Sequence, residues 1–259
     1  MNNLGNIIWI EMRKALRSRM WLWIGLGSLF MPLGIGFLIF AARNPQLTQS
    51  LGLISAKANL VAYSATDWPA YLSLFGLMIA AGGFFLFVLI VSWIFGREFS
   101  DGTMKDLMAV PVPRSNIVLA KFIVAVGWSV LLSLVLFALA LLLGALIDLP
   151  GGSSAVIVQG ALMLLASCGM SIAVSLPFGF LASAGRGYLL PIGLAILAVL
   201  AANLVGIAGW GEFFPWAIPA LFAQGKTALD AVSFWIVFFT GAVGVAVTYL
   251  WWKYADQNR

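Results

Sequence analysis

Six stretches of this chain are apolar over the width of a bilayer and carry no charge at their centres: about residues 20–42, 71–95, 117–147, 155–180, 188–208 and 231–252. A helix rises about 1.5 Å per residue, so roughly 20 such residues cross a hydrocarbon layer about 30 Å thick. Each Leu, Ile, Phe or Val favours insertion by about 0.3–0.6 kcal/mol, and a central charge opposes it by about 2.5–3.5 kcal/mol. All six stretches insert unaided on that balance. Only 9% of the 259 residues are charged and 63% are hydrophobic, against about 25% charged in a soluble domain. The expectation is an all-α polytopic membrane protein, one transmembrane domain of six helices with a helix at the membrane surface before them.

The basic residues set an orientation. With the N-terminus in the cytoplasm, Arg13, Lys14, Arg17, Arg19, Arg97, Lys105, Arg114, Lys121, Arg186, Lys253 and Arg259 fall inside, and only Arg43, Lys57 and Lys226 fall outside. That is a strong positive-inside bias, and it places both termini in the cytoplasm of a multi-pass protein. The net charge of +5 therefore reports topology, and no nucleic-acid partner is expected. Lys121 lies one turn inside the third stretch and is expected to snorkel to the surface. Trp251 and Trp252 close the last span as interface residues.

Several chemistries are excluded. There is no histidine and one cysteine, Cys168, so neither a catalytic nor a metal site is expected. Gly82-Gly83 and Gly151-Gly152 lack the context of a phosphate-binding loop. Gly76, Gly82, Gly83, Gly127, Gly241 and Gly244 are expected to admit close helix packing.

Residues 1–19 read as an interfacial helix, with Leu4, Ile8, Met12 and Leu16 on one stripe and Arg13, Lys14 and Arg17 mostly off it; a plain basic tail is the other reading. Residues 43–69 are external and too polar to span. Residues 209–230, broken by Gly211, Pro215 and Pro219, suit short helices dipping into or lying on the outer leaflet. Residues 97–115 form a cytoplasmic segment. There Thr103 and Asp106 have capping-box spacing, Leu107, Met108 and Val110 follow, and Pro111 and Pro113 stop the helix. Arg97 and Asp101 are spaced to pair. Such a helix can dock a cytoplasmic partner or lie on lipid.

Glu98, Gly102-Thr103, Leu107-Met108, Pro111, Arg114 and Lys121 resemble the pattern of type-2 ABC exporter permeases, the group that includes bacitracin-type and other drug or peptide export permeases. The resemblance is specific around residues 95–121, and the architecture agrees elsewhere. It implies the type-2 exporter permease fold, a prokaryotic plasma membrane, and a coupling helix that docks on a separate cytoplasmic ATP-binding subunit. Glu98, Gly102, Thr103, Leu107, Met108, Pro111 and Arg114 then belong to the coupling region, and Asp106 joins them through its capping position. Two permeases, as a homodimer or heterodimer, would enclose the path of an amphiphilic small molecule, peptide antibiotic or lipid-like substrate. ATP and Mg would sit on the partner, with no cofactor on this chain. The Pro111-Val112-Pro113-Arg114 run is more rigid than the usual form.

Gln159 and Ser171 in the fourth span and Asn203 in the fifth can line a path, or can satisfy polar groups across helices. An ATP-independent secondary transporter, or a membrane immunity or signalling partner without transport, are the alternative functions. Reporter fusions after Lys57 and Lys226 are expected to read as external, and fusions after Arg186 and Arg259 as cytoplasmic. A cytoplasmic reading at Lys226 overturns the last two spans.

Overall fold

A computed structural model describes residues 4–43, 67–225 and 229–254. Most of the expected external segment at 43–69, and the topology markers Lys57, Lys226 and Arg259, lie outside the described residues. Among the described residues every regular element is a helix, and six helical stretches are long and apolar enough to cross a membrane.

Helix α1 (Leu4–Arg17) leads into a first span made of two pieces, α2 (Met20–Ser28) and α3 (Phe30–Arg43). The break has a local cause. Pro32 has no N–H to give the Ser28 carbonyl, and the Ser28 hydroxyl turns back to the Gly25 carbonyl at 2.6 Å. The second span is α4 (Trp68–Met78), one π-helical turn over Ile79–Gly83, and α5 (Phe84–Ser100). A short helix α6 (Met104–Ala109) precedes the third span, α7 (Arg114–Leu146). The fourth is α8 (Ser154–Ser175) with α9 (Phe178–Ala184), separated at Pro177. The fifth is α10 (Leu189–Ile207), and the sixth is α12 (Ala231–Tyr254).

Between the fifth and sixth spans, helix α11 (Ile218–Gln224) packs into the bundle against α4 and α8, and a 3-10 turn at Gly211–Phe213 packs against α10, α11 and α12. Ser73 donates to the Ala223 carbonyl at 3.2 Å and the Trp216 indole to the Val174 carbonyl at 3.1 Å. These bonds satisfy backbone and side-chain groups that lipid cannot.

Two apolar clusters hold the bundle. One, on the side carrying α1, surrounds Phe87, Phe95, Phe122, Phe178 and Trp252. The other, at the opposite end, surrounds Tyr71, Phe75, Leu136 and Leu164. There the Tyr71 hydroxyl donates to the Ala140 carbonyl at 2.7 Å. The Trp68 ring lies so close to Gly144 and Gly152 that a Cβ at either would fall within 2.6 Å of it.

Trp252 differs from the interface role expected of it. It is fully buried, edge-on to Phe95 and Phe99, and its indole donates to the Ser183 hydroxyl at 2.9 Å. The reason is register: Val237, Gly241, Gly244, Thr248 and Trp252 recur at helical spacing and form the buried stripe of α12. On that stripe the two glycines seat α12 against α8 and the Pro177 kink. A Cβ at Gly244 would lie 2.5 Å from the Pro177 nitrogen, and one at Gly241 would lie 3.0 Å from the Ala173 carbonyl oxygen. Gly76 and Gly82 also meet neighbours, Ala223 and Met31, while Gly83 packs on Ile79 of its own turn. Gly127 corrects the expectation for it, because nothing lies within 4 Å of a Cβ there.

This contrast is testable. Gly244→Ala forces backbone apart and is expected to destabilise by about 1–3 kcal/mol. Gly127→Ala is expected to be neutral or to stabilise by up to about 1 kcal/mol through helix propensity. Thermal unfolding of the detergent-purified protein checks both, and equal responses would contradict the packing described.

Candidate functional site

Four charged side chains from three helices meet at the α1 end of the bundle. Lys121 of α7 is fully buried at 0% exposure, Glu98 of α5 is 4% exposed and Glu11 of α1 is 6% exposed. The Lys121 ammonium donates to both Glu98 carboxylate oxygens at 2.8 and 2.9 Å, to Glu11 Oε2 at 3.3 Å and to the Ile94 carbonyl at 2.7 Å. It also lies 5.9 Å from the centre of the Phe95 ring. An ammonium has three protons to give, and three residues accept them. Lys14, one turn after Glu11 on α1, completes the group through Glu11 Oε1 and, at 3.2 Å, Glu98 Oε1. Two ammonium groups thus balance two carboxylates.

Lys121 therefore does not snorkel as expected. Its way to the surface is covered by α1, and its charge is met inside by carboxylates. Glu11 was not foreseen either. It is the sole acid in the first 66 residues, set among four bases, and that isolation was the available signal. The Lys14 ammonium is held above the ordinary lysine range: burial opposes its charge, and the Glu11 and Glu98 carboxylates more than offset this. It stays charged throughout the neutral range.

The cluster sits directly behind α6. Helix α5 ends in a closed turn in which the Gly102 N–H bonds the Phe99 carbonyl at 3.3 Å and the Thr103 N–H bonds the Glu98 carbonyl at 3.0 Å. This pattern needs a left-handed residue after the cap, and Gly102 supplies it at φ +69°. Thr103 then starts α6 through its carbonyl, which accepts from the Leu107 N–H at 3.1 Å. The expected capping box is absent: the Thr103 side chain caps nothing. Its φ of −91° and ψ of 6° lie outside the extended region that a capping side chain requires. On α6, Met104 is buried and Leu107 and Met108 are half-buried against the protein's own core. The exposed surface is Lys105, Asp106, Ala109, Val110 and Pro111, with Val110 49% exposed.

Two arginines tie this region down. Arg97 pairs with Asp101 at 3.2 Å, donates to the Lys14 carbonyl at 3.3 Å and stacks 5.2 Å from the Trp93 ring centre. Arg114 donates to the Trp252 carbonyl at 3.1 Å, which joins the start of the third span to the end of the sixth. Between α1 and α6 lies an open cleft of about 440 Å³ with Glu11, Lys14, Arg97 and Asp106 on its walls. Arg13 and Arg17, on the far side of α1, face outward.

Residues 7–202, which include the whole cluster, match the family described as ABC-2 family transporter protein. The chain belongs to that family. It is also similar to the bacitracin transport permease protein of Bacillus licheniformis, 27% identical over 174 residues that cover 66% of this chain and 84% of that protein. The protein is therefore a multi-pass permease of an ABC transporter, a transporter component that is not itself the catalyst.

The residues considered for a substrate path are scattered in this ABC-2 permease. Asn203 lies on a cleft of about 300 Å³ between α10, α4 and α11, opposite Gln224 and Trp216. Its side-chain amide donates to the Val199 carbonyl at 2.8 Å. Ser171 is buried within the bundle without a hydrogen-bond partner, and Gln159 is exposed on α8.

Removing Lys121 from the permease leaves two buried carboxylates to share Lys14, and loss of one partner from a buried ion pair costs about 3–5 kcal/mol. Lys121→Met and Glu98→Gln are each expected to lower the melting temperature strongly. The double variant, which keeps the balanced Glu11–Lys14 pair, is expected to recover more than about 1 kcal/mol of the summed loss. Strictly additive losses would show that the two residues do not act as a pair.

Proposed function

We propose that this permease works with a separate cytoplasmic ATP-binding subunit, received on α6 and the cleft beside it, and that the buried charge cluster passes the movement to the spans. The observation that carries this reading is the position of Glu98. It ends the second span, accepts the Thr103 N–H that starts α6, and holds Lys121 of the third span and Lys14 of the surface helix. A displacement of α6 therefore reaches α1, α5 and α7 together. Glu98, Gly102, Thr103, Asp106, Leu107, Met108, Pro111 and Arg114 divide into two roles on this view. Asp106, with Lys105 and Val110, meets the partner, and the others fix the shape of the helix or its attachment.

ATP and Mg belong to the partner in this scheme, and the α1 side faces the cytoplasm of a prokaryotic cell. A second permease covers the face of α10, which is the least buried of the six spans. The substrate is an amphiphilic molecule, a peptide antibiotic or a lipid-like compound, which the name of the Bacillus licheniformis relative favours. Asn203 and Gln224 are the polar groups best placed to meet it. Both buried carboxylates are already neutralised by lysines, which disfavours ion-coupled transport by them.

The ATP-binding subunit that co-purifies in mild detergent can be titrated against the permease in nanodiscs. Val110→Asp places a charge on the exposed tip without touching the core, and it is expected to weaken binding by about tenfold or more. The Lys121→Met/Glu98→Gln double variant is expected to bind the subunit yet lose substrate-stimulated hydrolysis. Failure of any ATP-binding protein to co-purify, or equal affinity and hydrolysis for all three proteins, overturns the proposal.

A further inference from the structure

A second cleft lies away from the charge cluster, between the first span and the body of the bundle. It encloses about 410 Å³ and is walled by Ile24 and Gly25 of α2, Trp93 and Ile94 of α5, and Trp128 and Leu131 of α7. That is a volume typical of small-molecule sites, roughly 300–1,000 Å³. The cleft follows α2 from Met20 to Leu29, about 13 Å at the helical rise, close to half of a hydrocarbon layer about 30 Å thick. The walls are mostly apolar, and the Trp128 indole N–H among them is buried without a hydrogen-bond partner. The two hydroxyls on them, Ser18 and Ser28, already donate to the carbonyls of Ala15 and Gly25.

The mouth has the opposite character. Ser18 lines it, flanked in sequence by the exposed Arg17 and Arg19. Four other bases at this end are committed, Lys14 and Lys121 to carboxylates, Arg97 to Asp101 and Arg114 to a backbone carbonyl, while Arg13, Lys105 and Lys253 are exposed and lie outside the cleft lining. Among the described residues Arg17 and Arg19 make no ion pair. An apolar slot one leaflet deep, whose end residue Ser18 has an exposed, unpaired arginine on either side of it in the chain, matches one chemistry.

We infer that this cleft is a binding site for an anionic phospholipid of the leaflet on the α1 side, with an acyl chain between α2 and α7 and its phosphate against Arg17 and Arg19. Two bases at the mouth favour an anionic over a zwitterionic lipid on the order of 30-fold. The site is independent of α6 and of the coupling role proposed for it. A lipid seated here fills the gap between the first span and α7 and braces α2, the span piece that follows α1 directly.

The test uses the full chain purified in neutral detergent, with phosphatidylglycerol and phosphatidylcholine each carrying a photoreactive group in the acyl chain. Phosphatidylglycerol is expected to label the α2 and α7 walls, most of all around Ile24 and Leu131, at concentrations about 30-fold below phosphatidylcholine. Arg17→Gln/Arg19→Gln is expected to remove that preference while leaving the weaker labelling. Gly25→Leu, at a position where a Cβ meets nothing within 4 Å, fills the slot and is expected to abolish labelling by both lipids with the fold intact. Equal labelling by the two lipids, label spread as densely over α10 and α12 as over the cleft, or unchanged labelling of Gly25→Leu each overturn the inference. So does a second copy of the chain cross-linked into the cleft in place of lipid.

Discussion

An ammonium group with no exposed surface cannot persist in a membrane protein unless its charge and all three of its protons are met. Lys121 meets that demand through Glu98, Glu11 and Ile94, and the positions of three helices follow from it. Helix α1 cannot leave its seat on the bundle without stranding Glu98 and Lys121 in an unbalanced low-dielectric site. The second and third spans cannot slide past one another at this end without breaking the same contacts. Apolar packing holds the rest of the bundle and tolerates small slips, because side chains of similar shape exchange neighbours at little cost. The charge cluster does not, so it sets the register from which the apolar contacts are built.

Helix α6 inherits its rigidity from that register. It is only six residues long, too short to be stable alone, and it lacks the side-chain cap its sequence suggested. What replaces the cap is the closed turn at Gly102, which anchors the Thr103 N–H to the carbonyl of a residue already fixed by the cluster. Met104, Leu107 and Met108 then face inward, and Pro113 leads directly into α7. The apolar residues that look from the sequence like a docking tip are the helix's own foundation. The outward surface falls instead to Lys105, Asp106 and Val110.

The all-helical class and the six spans were legible in the sequence, because hydropathy acts locally. The Arg97–Asp101 pair followed from spacing for the same reason. What could not be read was any pairing between distant segments. Glu11 and Lys121 are 110 positions apart, and Lys121 alone suggested a residue that reaches the surface. Trp252 was misjudged because belt and core tryptophans look alike in composition; the stripe through Gly241, Gly244 and Thr248 was the periodic clue. Gly127 is the reverse case, a glycine in a span that nothing approaches. A membrane span offers many glycines and only the third dimension says which ones touch.

The irregular points of three spans lie between the half of the bundle that holds the charge cluster and the half held by apolar packing and hydrogen bonds. Met31, two residues past the break in the first span, rests on Gly82 inside the π-helical turn of the second. Phe84, the first residue after that turn, stacks edge-on at 5.7 Å with Phe178, the first residue after the Pro177 kink. Gly244 of α12 nests in the same kink. Helical hydrogen bonds are already missing or displaced at these points, so a change in tilt costs least there. Above them, Tyr71 and Trp68 hold α4 to α7 and to the turn at Pro150. Below them, the four charges and Arg114 hold α1, α5, α7 and α12. The molecule is thus built as two firm ends joined through a yielding layer, and a force applied at α6 would be delivered whole to that layer rather than dissipated in its own half.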